Sequence, residues 1–210
     1  MYYLLFPHLN YDKSMIEVEK KFILTPEQEK SLIEGAEFLG EKQFTDIYYD
    51  DKDFSLTTKD IWFRQRDGRF ELKLPMNVSL EERVSDQYKE IEDEKEIKKY
   101  FNFNNDASLS DLLKEREYES FCIMTTIRKK YKKEDFGIDM DIVDFGYAIA
   151  EIEYMAQDNS NLQQATDKII EFAKKHNLTF DELTRGKGSE YIRRNNPKHF
   201  QALIDVKVIK

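Results

Sequence analysis

The chain has 210 residues, 36% of them charged, a formal net charge of −9 and a single cysteine, Cys122. It is long enough to bury a sizeable core and carries no Ser/Gly/Pro-rich linker that would split it. The acidic balance excludes a nucleic-acid binder that neutralises phosphates over a broad basic surface, and one cysteine excludes an intramolecular disulfide framework.

The opening MYYLLFPHLNYDKS lacks a basic leader, its apolar run is short, and Pro7 interrupts it, so neither a signal peptide nor a membrane span is expected. Residues 1–14 read as an N-terminal extension, residues 15–210 as a single domain, and the cytoplasm as its compartment. Ile16 to Phe22, I-E-V-E-K-K-F, alternates charge with apolar residues, the period of a strand. Thr25-Pro26-Glu27-Gln28 has the form of a helix start, with Thr25 as N-cap and Gln28 closing a capping box. Leu32, Ile33, Ala36 and Leu39 extend that helix, and Gly40 is expected to end it. Strands are expected at Lys42 to Asp50, Ile61 to Asp67 and Phe70 to Pro75, the last two joined by an Asp67-Gly68 hairpin turn. The densely charged stretch Glu81 to Glu119 reads as helices near Tyr88 to Tyr100 and Leu109 to Glu117. Strand patterns return at Ser120 to Lys132, Phe136 to Ile142 and Tyr147 to Met155. Helices are expected at Leu162 to His176, Glu190 to Arg194 and Pro197 to Leu203.

The period-2 alternation of the first strand recurs in five others. Glu17, Glu19 and Lys21 share a face, as do Arg64 with Arg66, Glu71 with Lys73, Thr126 with Arg128 and Lys130, Asp139 with Asp141, and Glu151 with Glu153. One such strand alone would be a half-buried strand with a solvated face. Six with almost every position on one face ionised, and the signs partly sorted between middle and late strands, predict an α+β protein. Its core element is a closed antiparallel barrel with a charged lumen and amphipathic helices covering the outside. Charges facing a narrow lumen are costly unless paired or liganded. Basic and acidic walls together call for an anion and a hard cation.

E-V-E-K-K (Glu17 to Lys21), D-I-Y-Y-D (Asp46 to Asp50), W-F-R-Q-R (Trp62 to Arg66), F-E-L-K (Phe70 to Lys73), D-M-D-I-V-D-F-G-Y-A-I-A-E-I-E (Asp139 to Glu153) and G-K (Gly186-Lys187) resemble, in order and approximate spacing, the CYTH superfamily of triphosphate tunnel metalloenzymes, and within it the eukaryotic thiamine triphosphatase branch. The resemblance runs from about Ile16 to Tyr191 and is poor over the leader, Glu81 to Glu119 and the tail after Arg194. It implies an eight-stranded tunnel in which basic residues hold a triphosphate and acidic ones hold a divalent metal, Mg²⁺ with Mn²⁺ as the second choice. The positions that match are Lys21, Arg64, Arg66, Lys73, Arg128 and Lys187 for phosphate, and Glu17, Glu19, Asp139, Glu151 and Glu153 for metal. Asp141 falls outside the matched set and reads as a salt-bridge partner. Tyr48 matches a tyrosine that, with the lysine at Lys73, prepares the attacking water; adjacent cations would lower its pKa. Trp62 is placed either to stack on a thiamine ring or to plug one barrel end.

The activity implied is hydrolysis of the terminal phosphoanhydride of thiamine triphosphate, by a monomer acting on a small molecule and needing neither nucleic acid nor membrane. An inorganic triphosphatase, a nucleotide-directed triphosphatase or adenylate cyclase, and a non-catalytic polyphosphate-binding module remain the alternatives. The three histidines show no metal-ligand spacing, and Cys122 reads as a small buried hydrophobe.

Overall fold

The computed structural model describes residues 16–76, 86–104, 106–156, 161–179, 181 and 183–209, and the expected extension over residues 1–14 lies outside them. Eight strands, β1 (Ile16–Phe22), β2 (Glu37–Asp50), β3 (Trp62–Arg66), β4 (Arg69–Pro75), β5 (Asp86–Ile91), β6 (Glu119–Lys133), β7 (Phe136–Val143) and β8 (Tyr147–Ala156), close into one barrel. The order around it is β1-β5-β4-β3-β2-β6-β7-β8, and every neighbouring pair is antiparallel, including β8 back onto β1. Closure leaves no unpaired sheet edge. The helices are α1 (Pro26–Ile33), α2 (Glu94–Tyr100), α3 (Leu109–Glu115), α4 (Leu162–Lys175), α5 (Lys187–Asn195) and α6 (Pro197–Asp205). None is long and apolar enough to cross a membrane.

The expected capping box starts α1, but the helix stops at Ile33 and not at Gly40. Gly35, at φ +73°, is the left-handed residue that turns the chain out of the helix. Residues from Glu37 then join β2, and Gly40 sits at a bulge in the β2–β6 ladder. The Asp67-Gly68 turn is as expected: both residues have positive φ, and the Asp67 carboxylate accepts from the Thr45 amide at 2.9 Å. The helix expected over Tyr88 to Tyr100 is divided in the structure. Its first part is β5, and Asp93 then caps α2 through the amides of Lys95 and Glu96.

The outward faces of the strands bury two apolar clusters beneath helices. Val18, Phe22, Ile138 and Ile152 pack under Ala165, Ile169, Phe172 and Ala173 of α4. Phe63, Phe70 and Leu72 pack under Ile97, Leu109 and Leu112 of α2 and α3. Each fully buried Phe, Leu or Ile contributes about 1.5–3 kcal/mol. The expected helical jacket is incomplete, since Ile123, Ile127 and Ile142 on the outer side of β6 and β7 are exposed.

The last two helices do not join the jacket at all. Ile192 of α5, Leu203 of α6 and Val208 pack against Tyr48, Trp62, Cys122, Met124, Val143, Tyr147 and Ile149. In the ladder, Tyr48 opposes Cys122 and Arg64, so this cluster is on the lumen face, and α5 and α6 stopper one end of the barrel. His199 ties α6 to the turn at residues 57–59: the Thr57 hydroxyl donates to Asp50 at 2.6 Å, so the His199 Nε2–H donates to Thr57 Oγ1, also at 2.6 Å.

Candidate active site

Register decides which charges meet. Directly opposed residues in an antiparallel pair share a face, and β1 places Glu19 opposite Glu153 and Lys21 opposite Glu151. In β7, Asp139 opposes Glu151, and Asp141 opposes Arg128 of β6. All five carboxylates expected to hold metal are therefore on one wall of the lumen. Two groups of three have carboxylate oxygens within 4.8 Å of one another: Glu17, Glu19 and Glu153, and Asp139, Glu151 and Glu153. Glu153 belongs to both. Gly137 faces it, and a Cβ there would come within 3.0 Å of the Glu153 carboxylate.

The basic side chains are held by carboxylates. Arg128 donates through Nε and Nη2 to both oxygens of Asp141 at 2.7 Å, again through Nη2 to Glu151 at 2.7 Å, and through Nη1 to Asp139. The paired-donor geometry is one that only a guanidinium offers. Lys187, first residue of α5, reaches the Asp141 Oδ2 that Arg128 Nη2 also bonds, so Asp141 is the salt-bridge partner expected of it. Arg64 donates to Glu71 at 2.7 Å and to the Tyr48 hydroxyl at 3.2 Å. Arg66 forks onto Asp46 at 2.7 and 2.9 Å, Lys73 pairs with Glu90, and Lys21 pairs with Glu19.

These neighbours set the protonation states. Burial, reinforced by Glu19 and Glu90, raises the Glu17 carboxyl to about 7, and burial beside Glu17 and Asp139 raises Glu153 well above its ordinary value. Burial also opposes ionisation of Glu151, but Lys187, Arg128 and Lys21 outweigh it and hold that carboxyl low. Desolvation also opposes ionisation of Glu90, but Lys73 and Arg64 hold it at about 2. The acidic wall thus carries more carboxylate than its own surroundings neutralise. Hard oxygen donors crowded in this way fit a cation such as Mg²⁺.

A pH dependence follows from Glu17. Its carboxyl is raised from an ordinary 4.5 to about 7 in the folded protein, so over that window the folded state holds a proton that the unfolded chain has released. The metal-free protein is expected to lose stability as pH rises from about 4.5 to 7, by an amount on the order of 1–3 kcal/mol. Glu90, ionised in both states across that window, adds no slope. Denaturant unfolding in a chelator at pH 5 and pH 7.5 checks this, and equal or greater stability at the higher pH would remove the assignment.

The structure brings together every residue expected at the site but changes two expectations. Tyr48 is buried, and burial outweighs Arg64 to raise its pKa where adjacent cations were expected to lower it. No hydrogen bond joins it to Lys73 among the described residues, because Lys73 is turned to Glu90 and lies over the Tyr88 ring at 5.9 Å. Trp62 donates to Asp60 at 2.9 Å, meets Tyr48 edge-on at 6.0 Å and packs on the first turn of α5, where a Cβ at Gly188 would lie 3.0 Å from its ring. In this packing Trp62 closes the barrel end together with α5.

Asp46, Glu71, Glu90 and Lys130 pair with the expected residues and were not among the expected phosphate or metal positions. Glu71 and Lys130 were visible as lumen-facing from alternation. Lys130 pairs with Asp139 and Glu153, each at 3.1 Å. Glu90 was hidden because its strand is polar on both faces and read as helix.

A sequence model described as the CYTH domain matches residues 15–185. The chain is similar to the thiamine-triphosphatases of Macaca fascicularis and Homo sapiens, each 28% identical over 211 residues, covering 92% of this chain and 91% of the relative. Among solved structures, the PH1012 protein of Pyrococcus horikoshii superposes with a TM-score of 0.56 at 20% identity, over 78% of this chain and 91% of that one. A proposed adenylyl cyclase from Hippeastrum, described as having a dominant triphosphatase activity, superposes with a TM-score of 0.55 at 12% identity, over 88% and 98%. These two likenesses are of fold. With the family match spanning most of the sequence and the closed eight-stranded barrel beneath it, the chain belongs to the CYTH domain family.

Proposed function

We propose that this chain is a triphosphate tunnel hydrolase that cleaves the terminal phosphoanhydride of thiamine triphosphate, giving thiamine diphosphate and inorganic phosphate. The observation that carries the reading is the lumen itself, where a wall of five carboxylates, two with raised pKa values, faces cations drawn from β3, β4, β6 and α5. Similarity to thiamine-triphosphatases supports the choice of substrate.

In this reading Lys21, Arg64, Arg66, Lys73, Arg128 and Lys187 hold the phosphates, stabilising charge on the transferring oxygens. Glu17, Glu19, Asp139, Glu151 and Glu153 would hold Mg²⁺, which when bound neutralises phosphate charge and aligns the chain. Lys73 and the neutral Tyr48 phenol position the water. Its oxygen forms the new bond to the terminal phosphorus, the bridging P–O bond breaks with its electron pair left on the diphosphate, and the water proton passes to bulk solvent. Trp62 stacks on the organic group only if the plug packing around it opens. Residues 15–210 act as one unit, because α5 and α6 supply Lys187 and the stopper.

Phosphate release from thiamine triphosphate, tripolyphosphate and ATP with Mg²⁺ tests the reading. The expected order puts thiamine triphosphate first in kcat/KM. Preference for tripolyphosphate would make the chain an inorganic triphosphatase, cyclic AMP from ATP would make it a cyclase, and binding without turnover would leave a polyphosphate-binding module.

A further inference from the structure

The ring of Phe44, buried on the lumen face of β2, is where four cations converge: Arg66 at 4.2 Å from its centroid, Lys42 at 5.1 Å, Lys187 at 5.5 Å and Arg128 at 5.6 Å. Three of them are neutralised, Arg66 by Asp46 and both Arg128 and Lys187 by Asp141. Lys42 is the exception: among the described residues no carboxylate lies within ion-pair distance of its Nζ. It opposes Arg128 in the ladder and alternates with Phe44, Asp46 and Tyr48, so its side chain belongs to the lumen face. Those three are buried while Lys42 is exposed, which places it toward the barrel end opposite α5 and α6, the mouth in the proposed reading. Burial of its stem and the positive charges of Arg128 and Arg66 together hold its ammonium below the usual lysine range. A cation kept beside two others, over an aromatic face and with no carboxylate at ion-pair distance among the described residues, leaves room for an anion to complete the group.

We propose that Lys42 is a specificity-determining residue that takes the phosphate nearest the mouth, so that the tunnel distinguishes a chain of three phosphates from one of two. This rests on the reading of the lumen as a phosphate-chain site. Deeper phosphates have Arg64 and Lys187; the outermost one is the group that Lys42 can share with Arg66 and Arg128 around the Phe44 ring.

Calorimetric titration of the full chain with inorganic tripolyphosphate and with inorganic diphosphate, in Mg²⁺, tests it. For Lys42→Met, which keeps the apolar stem, a roughly tenfold weaker tripolyphosphate affinity is expected, the scale of one charge-assisted contact. Diphosphate affinity should be unchanged, and Lys42→Arg should bind both anions like the wild type. Lys129→Met removes the same charge from the outer face, where Lys129 lies 3.9 Å from Glu41, and should leave both affinities alone. Equal losses for both anions, no loss for either, or a matching loss in Lys129→Met would overturn the role of Lys42 while leaving the tunnel reading intact. A wild-type protein that binds neither anion would overturn both.

Discussion

Replacing Arg128 with alanine is expected to be the most damaging single change in the lumen, for stability and activity at once. The guanidinium bonds Asp139, Asp141 and Glu151, and the side chains of the first two have no solvent exposure. Removing one partner of a buried ionic group costs about 3–5 kcal/mol, because charge is left without compensation. Lys130 and Lys187 retain their bonds to Asp139 and Asp141 and limit the damage. Since 1 kcal/mol shifts the melting temperature of a chain this size by about 2–4 °C, a fall of roughly 6–20 °C should be read by calorimetry. Turnover should drop by roughly 10³-fold, the lower range for an arginine stabilising a transferring phosphoryl group. Arg128→Lys should recover part of the stability and little of the activity, because a point charge cannot fork onto Asp141 while also reaching Glu151. A melting temperature within a degree or two of wild type in the alanine variant would show that the network is not what holds this wall.

Glu153→Gln should separate the two properties. Glu153 is the member common to both carboxylate groups, and its raised pKa reflects burial beside Glu17 and Asp139. An amide of the same shape relieves that repulsion, and Lys130 keeps its second partner, Asp139. The metal-free variant is therefore expected to melt at or above the wild-type temperature at pH 8. Mg²⁺ should then add far less: at a hundredfold excess over Kd the wild type gains about 2.7 kcal/mol from binding, most of which the variant loses. Activity should fall by at least 10- to 100-fold, the range for outer-shell partners of a metal. Thermal melts with chelator and with Mg²⁺ decide it. An undiminished Mg²⁺ shift in the variant would take Glu153 out of the metal site.

The barrel and most of its charged wall were legible because alternation is a backbone property that needs no partner to be seen. Glu17 with Glu19 and Glu151 with Glu153 declare a common face from spacing alone, and register then only had to bring them together. What the spacing could not show was pairing. Asp46 gives no sign in the sequence that it holds Arg66, twenty residues away. Tyr48 was expected among activating cations, but its depth under α5 and α6 depends on where a distant helix packs, and desolvation there outweighs Arg64. Glu90 was missed for a different reason: D-Q-Y-K-E-I has no apolar face to betray a strand, and only closure between β4 and β1 makes it one. At Gly35 and Gly40 the rule that glycine ends a helix was sound but applied to the wrong glycine, since both lie at positive φ and only the first follows the helix.

The stopper formed by α5 and α6 closes one end of the barrel. On the proposed function, whatever is released inside would leave by the other end, where the next substrate arrives, so departure and arrival would compete for the same ring of charges. Inorganic phosphate or a diphosphate is then expected to inhibit competitively, as initial rates measured with added phosphate would show.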